Sequence, residues 1–128
     1  MIEFIRKQYQ ENGIGRWAVI EKETNVFMGW AGLKFVTETI NSHTNYYDLG
    51  YRLRRPFWGK GFATEAAEAS LAYGFNNLKL QEVFAMADTR NQASIKVLKK
   101  VGLKHVETFN LEEILHCWLK VTSHLSRI

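Results

Sequence analysis

The chain has 128 residues, 46% of them hydrophobic and 23% charged, with a net charge of +4 and a pI near 9.3. That length fits one domain, residues 1–128, with a real core, and the balanced composition excludes a disordered, collagenous or coiled-coil chain. The basic residues are scattered, with no run longer than the pairs Arg6-Lys7, Arg54-Arg55 and Lys99-Lys100, which suits a basic rim for an anionic small molecule better than a nucleic-acid surface.

Charges interrupt the opening Met-Ile-Glu-Phe-Ile-Arg-Lys, so it lacks a signal-peptide pattern. Residues 2–11 read as a helix, with Ile2, Ile5 and Tyr9 on one face, stopped by Asn12-Gly13-Ile14-Gly15. Arg16–Lys22 reads as a strand, Glu23-Thr24-Asn25 as a hairpin turn, and Val26–Val36 as a second strand. Gly29 and Gly32 inside it predict a bulge or a close backbone approach. A polar loop, Thr37–Asn45, leads to a third strand, Tyr46–Leu53, which Arg54-Arg55-Pro56 closes because proline cannot donate to a ladder.

The next helix runs from Thr64 to about Asn77. Ala63, Ala66, Ala67, Ser70, Leu71, Gly74 and Phe75 recur at helical spacing, and most are small, so this helix can lie close to a sheet. Glu82–Ala87 reads as a strand buried on both faces. Asn91 is the expected N-cap of a second helix, with Ser94, Val97, Leu98 and Val101 facing inward and Gly102 as its left-handed stop. Leu103–Phe109, a turn at Asn110–Glu113 and Ile114–Val121 complete the sheet. Cys117 on the last strand is the single cysteine and cannot close an internal disulfide, which predicts a reducing, cytoplasmic setting. His43, His105, His116 and His124 are too far apart for metal-ligand spacing, so no metal is expected. No apolar run approaches the ~18 residues of a membrane span.

The order is α-β-β-β-α-β-α-β-β. A helix between strands Tyr46–Leu53 and Glu82–Ala87 implies a right-handed crossover and a parallel pair, with the other strands antiparallel. The predicted fold is α/β (α+β): a mixed, mostly antiparallel sheet with helices on both faces.

The chemistry gathers at Phe57-Trp58-Gly59-Lys60-Gly61-Phe62-Ala63-Thr64-Glu65, where strand hands over to helix. Glycine lets backbone approach a ligand closely, and the first N–H groups of a helix, at the positive end of its dipole, bind anions. The stretch reads as a phosphate cradle, or as a structural turn if it stood alone.

Arg55-Pro56-Phe57-Trp58-Gly59-Lys60-Gly61-Phe62-Ala63-Thr64-Glu65-Ala66 resembles the acetyl-CoA-binding motif of the GCN5-related N-acetyltransferases (GNAT), and most closely that of the branch containing the ribosomal-protein alanine acetyltransferases (RimJ/RimL-like). Asn91-Gln92-Ala93-Ser94 followed by Lys100-Val101-Gly102-Leu103 resembles the second motif of that branch, and Asp48-Leu49-Gly50-Tyr51-Arg52-Leu53 its fourth strand. The resemblance covers Arg16 to about Val121. It implies an acetyl-CoA-dependent transferase that moves acetyl to a primary amine by direct attack. Backbone amides of Gly59, Lys60, Gly61, Phe62, Ala63 and Thr64 would hold the pyrophosphate, and Leu53 and Arg55 would pair their main chains with the pantetheine arm where two parallel strands splay. Asn91 would bond the cofactor, Lys60 with Arg54 or Arg55 would meet its 3′-phosphate, and a backbone N–H near Met86 or Ala87 would polarise the thioester. Many members carry a tyrosine acid at the position of Leu98; Ser94 is the substitute this branch suggests. The family's first strand has no counterpart before Arg16 in this reading. Either the chain is shortened, or a partner such as a second copy covers that edge.

The residues leave alternatives open. Asp48 shares a strand face with Gly50 and Arg52 and suits a general base, or equally an exposed carboxylate paired with an arginine. Ser94 is a hydrogen-bond donor to a leaving thiolate or a small residue packed at position N3. Glu38 and His43 are weaker base candidates. Cys117 reads as a buried small hydrophobe, and Trp30, Tyr46, Tyr47 and Trp118 as core or acceptor-pocket aromatics. Two other functions compete: a coenzyme A-binding module without catalysis, and, remotely, a basic nucleic-acid-binding domain.

Overall fold

A computed structural model describes residues 2–5 and 16–123. The strands are β1 (Ile2–Ile5), β2 (Trp17–Glu21), β3 (Phe27–Val36), β4 (Tyr46–Leu53), β5 (Glu82–Asp88), β6 (Lys104–Leu111) and β7 (Ile114–Thr122); the helices are α1 (Phe62–Asn76) and α2 (Gln92–Lys100). They form one sheet in the order β1-β2-β3-β4-β5-β7-β6. β4 and β5 are parallel and the other neighbours antiparallel.

Alternation decides what each face carries. On β4, Leu49 and Leu53 point into the core shared with the helices, whereas Tyr46 joins a separate cluster with Val36, Phe84 of β5 and Trp118. Ala66, Ala67 and Ser70 of α1 are buried almost completely. Their short side chains let the helix lie close to β3 and β4, each alanine adding burial at little entropic cost.

Two expectations are corrected. Ile2–Ile5 is a strand, paired with β2 from Ile2↔Glu21 to Ile5↔Ala18, rather than part of a helix over 2–11, so a strand does precede Arg16. Four residues are too few for periodicity to separate helix from strand, and the unpaired edge of β2 supplies backbone partners. The remainder of that expected helix and its Asn12–Gly15 stop lie outside the described residues. Second, both described helices pack on one face: Ala67 and Leu71 of α1 share a core with Ile95 and Leu98 of α2. The crossovers β4-α1-β5 and β5-α2-β6 both join parallel strands and advance in the same direction along the sheet. With the same hand, they must put their helices on the same side.

β3 and β4 pair without interruption from Gly29↔Leu53 to Val36↔Tyr46. A Cβ on Gly29 would sit 2.0 Å from the Arg52 carbonyl oxygen, and the register with β2 shifts beside it, from Val19↔Gly29 to Ile20↔Phe27, leaving Met28 as the extra residue of β3. The predicted bulge and the predicted close approach thus coincide. β4 and β5, by contrast, pair at one register position, Asp48↔Phe84, so the ladder is split on the C-terminal side of that pair, with no further register partner among the described residues.

Candidate functional site

The loop after β4 forms one side of the mouth of this split. Pro56 starts a single 3-10 turn, Arg55–Phe57, and the chain then passes through Gly59 at φ 71° and Gly61 at φ 83°. Both are left-handed, a conformation that favours glycine. Gly61 caps α1 without a side-chain hydrogen bond, and the first N–H to bond back is that of Glu65, to the Gly61 carbonyl at 3.1 Å. The N–H groups of Phe62, Ala63 and Thr64 therefore have no acceptor within the helix. A Cβ on Gly59 or Gly61 would meet nothing within 4 Å, so the space over the cradle is open.

The neighbouring residues are less free than the sequence suggests. The Leu53 carbonyl, expected to face a pantetheine arm, accepts the indole N–H of Trp58 at 2.7 Å. Arg54 is held on β3, donating its backbone N–H to the Met28 carbonyl at 2.7 Å and its guanidinium to that of Phe27 at 2.9 Å. The Arg55 guanidinium lies 5.5 Å over the Trp58 ring, and Lys60 is exposed.

The other side of the mouth is the start of α2. Asn91 caps it as predicted, its Oδ1 accepting the Ser94 N–H at 3.1 Å. Ser94 Oγ lies 3.1 Å from the hydroxyl of Tyr51, which also reaches the Ser94 carbonyl at 3.3 Å. Burial pushes the Tyr51 hydroxyl up, against the pull of Ser94, and keeps it protonated. Leu98 is buried in the core, so that position offers no polar group. Sequence reading placed Tyr51 only within a strand motif; the available signal was its odd spacing from Asp48, which turns it toward the helices.

Asp48 lies on the opposite face. Its Oδ2 is 2.6 Å from Arg16 Nη2, with both side chains nearly buried, and Arg16 also donates to the Asp48 carbonyl at 3.3 Å. The arginine pairing expected as an alternative is present, but inside the protein. Burial pushes the Asp48 carboxyl up to about 6, with the Arg16 charge and hydrogen bond working against it. Arg16 escaped the sequence reading. It crosses Gly50, where a Cβ would come within 2.7 Å of its guanidinium carbon, and passes 3.7 Å from where a Cβ on Gly32 would be. Facing glycines, Gly32↔Gly50, were the only trace of it in sequence.

Four buried polar atoms on this side have no partner among the described residues: Arg16 Nε, Tyr46 Oη, Asp48 Oδ1 and Trp118 Nε1. The Tyr46 hydroxyl is pushed up to about 12 by burial, then by the charges of Asp48 and Glu38. Of the other aromatics, Trp30 lies 5.4 Å under Arg16, and the Tyr47 ring is 5.1 Å from that of Phe35, tilted by 53°. Cys117 is buried in the helix-side core, as expected of a small hydrophobe. Among the described residues no three His, Cys, Asp or Glu side chains cluster as metal ligands do, and no helix is long and apolar enough to cross a membrane.

Known proteins are similar to this chain in sequence or in fold. YkkB of Bacillus subtilis (strain 168) is 38% identical over 96 residues, 75% of this chain and 54% of that protein. An FsC-acetyl coenzyme A-N(2)-transacetylase of Aspergillus fumigatus is 38% identical over 100 residues, 76% of this chain and 42% of that protein. The chain thus spans about half the length of the curated relatives it matches. The crystal structure of a ribosomal-protein-S5-alanine acetyltransferase from Vibrio fischeri superposes with a TM-score of 0.74 at 20% identity, over 91% of this chain and 65% of that one, which is a likeness of fold. The model of the acetyltransferase (GNAT) domain matches residues 1–104. Those residues include the split pair, the glycine cradle and the Asn91 cap, and with that match the chain belongs to the GNAT acetyltransferase family.

Proposed function

We propose that this chain carries out acetyl transfer from acetyl-CoA to a primary amine. The observation that carries the reading is the open glycine cradle at the mouth of a sheet split after a single parallel register pair. The cradle fits a diphosphate: two left-handed glycines, outward N–H groups at a helix start, and no atom where a Cβ would be. The backbone of Gly59, Lys60, Gly61, Phe62, Ala63 and Thr64 would hold it, with Lys60 and Arg55 as exposed cations for a further phosphate. Asn91 spends its Oδ1 on the Ser94 N–H, which leaves its NH₂ to donate to the cofactor. Leu53 and Arg55 would line the pantetheine path. Beyond Phe84 the β5 edge toward β4 has no ladder partner among the described residues, so N–H groups near Met86 and Ala87 can polarise a thioester carbonyl.

Asp48 and Ser94 serve opposite sides of the transfer. Asp48 Oδ1 would receive the acceptor's ammonium, and Ser94, hydrogen-bonded to Tyr51, would donate toward the departing sulfur. Acetyl-CoA supplies the activated acyl group; the protein positions, desolvates and moves protons. The acceptor is a protein N-terminus or a small amine. The Asn91-Gln92-Ala93-Ser94 motif favours the RimJ/RimL-like branch, and the lone cysteine favours the cytoplasm. The second copy proposed to cover a bare edge loses that motive at β2, whose edge β1 covers.

The test is a thermal shift with acetyl-CoA followed by thiol release with three acceptors: a peptide with N-terminal alanine, spermidine and a simple primary alkylamine. A shift with turnover supports the transferase. A shift without turnover supports the coenzyme A-binding module, a reading favoured by the apolar Leu98. Salt-sensitive RNA binding indifferent to coenzyme A would support the nucleic-acid reading. Asp48→Asn should lower the rate and keep the thermal shift.

A further inference from the structure

The loop between β3 and β4 folds back over the sheet face that carries Asp48. Ile40 and His43 close it with two backbone hydrogen bonds of 2.9 Å around Asn41 at φ 51° and Ser42 at φ 63°. Both central residues are left-handed, as in the tight turns that join hairpins. The Asn41 amide donates to Glu107 Oε1 on β6 at 2.8 Å, which ties the turn to the far side of the sheet. His43 is thereby held in place, its ring 4.8 Å from that of Trp118 at 32° and 5.1 Å from that of Phe84 at 56°.

The hydrogen bond of the ring fixes its tautomer. His43 Nδ1 lies 2.7 Å from the Asn41 carbonyl oxygen. A carbonyl can only accept, so Nδ1 carries the hydrogen and the neutral ring keeps a bare lone pair on Nε2. The Phe84 ring beneath it belongs to the residue in register with Asp48, the last pair before the split. The imidazole thus packs against the ring of the residue in register with Asp48, on the face opposite Tyr51 and Ser94. Lys120, 5.7 Å from the same Phe84 ring, is paired with Glu82 at 3.2 Å.

We propose that His43 Nε2 accepts the proton of the incoming amine, while Asp48, balanced by Arg16, holds the ammonium in place. This rests on the transferase reading. Asp48 spends Oδ2 on Arg16 at 2.6 Å, which leaves Oδ1 as the atom to hold the ammonium. Protonating His43 breaks no ion pair, and Glu38, Asp48 and Glu107 are the carboxylates on that side. In the step, one N–H bond of the ammonium breaks; its proton goes to Nε2 and the electron pair stays on nitrogen. That pair bonds to the thioester carbonyl carbon, and the C–S bond breaks with its electrons on sulfur. The second proton shed by nitrogen ends on sulfur, and His43 returns the first to solvent.

The test uses the 128-residue chain, with whichever of the three acceptors named above the unsubstituted protein turns over fastest. His43→Ala is expected to lower kcat by about 100-fold or more, with the acetyl-CoA thermal shift and KM unchanged. Imidazole added to solution should restore part of that rate to His43→Ala and none to Asp48→Asn. His43→Asn, which keeps a donor for the Asn41 carbonyl, should be as slow if the first variant folds poorly. Turnover within about threefold of the parent in either variant, or a loss that imidazole does not relieve, overturns the proposal. A parent that binds acetyl-CoA but acetylates none of the three overturns the transferase reading, and this proposal with it.

Discussion

The Tyr51 hydroxyl and Ser94 Oγ, 3.1 Å apart, join β4 to the first turn of α2 across the mouth of the split sheet. Tyr51 is three residues from Asp48, so alternation sends the two to opposite faces. In the proposed transfer, an acceptor approaching over Asp48 and a sulfur leaving past Ser94 would therefore be handled on separate sides of one strand. Tyr51→Phe removes the bridge without changing the packing of the ring. Stability should fall by about 1 kcal/mol in urea denaturation. Thiol-release kcat should fall with it and the KM for acetyl-CoA should hold. Undiminished kcat in both Tyr51→Phe and Ser94→Ala would remove the pair from the chemistry.

Gly61 separates ligand binding from folding. Its φ of 83° costs any L side chain about 1–2 kcal/mol of backbone strain, yet a Cβ there touches no protein atom within 4 Å. Gly61→Val should therefore fold, with a Tm only modestly lower, while the new methyls fill the space over the helix-start amides. The expected result is loss of the acetyl-CoA thermal shift. Near-native affinity would move the diphosphate away from this cradle.

How much of this was legible depends on how local the cause was. The bounds of β4, Tyr46–Leu53, follow from alternation ended by Pro56, and the small face of α1 from a repeat of 3.6 residues. Asn91 announces its cap because Oδ1 needs only Ser94, three residues on. In α2 the reading centred the buried face on Ser94 and passed over Ile95, which is more deeply buried; a nine-residue helix leaves its face uncertain by one position. Non-local causes were opaque. β1 exists because β2 has an edge to pair, the helices share a face because two crossovers advance the same way, and Arg16 finds Asp48 over a separation of 32 residues. None of these is written in the spacing of neighbours.

Trp58 gives the cofactor an optical reporter. Its indole N–H holds the Leu53 carbonyl at 2.7 Å although the side chain is largely exposed, 60% by area. A pantetheine amide bonding that carbonyl must compete with the indole. Acetyl-CoA should therefore change the Trp58 fluorescence, and Trp58→Phe should abolish that component. The variant should also bind acetyl-CoA at least as tightly, since no indole N–H remains to be displaced. An identical fluorescence response in Trp58→Phe would mean that the Leu53 carbonyl is not on the ligand's path.

Burial of Asp48 beside Arg16 makes stability depend on pH in an unusual direction. The Asp48 carboxyl stands at about 6 in the folded chain because burial outweighs Arg16, against about 3.9 for an unfolded aspartate. The folded state thus binds the extra proton between those values. The contribution is fully present below about pH 4 and is lost as pH rises through 6, on the order of 3 kcal/mol. Subtracting the Asp48→Asn stability curve from that of the parent isolates this slope from the other carboxylates. Gly50→Ala tests the same pair from the other side. Its Cβ would come within 2.5 Å of Arg16 Nη2, a clash the flexible side chain can escape only by leaving Asp48. The steric cost is small and the electrostatic cost large: about 3 kcal/mol at pH 7, where a buried carboxylate loses its partner. Lowering the pH through 6 protonates Asp48 and should narrow the gap between Gly50→Ala and the parent. A gap that stays constant with pH would show that the alanine acts by packing alone and that the guanidinium never left its carboxylate.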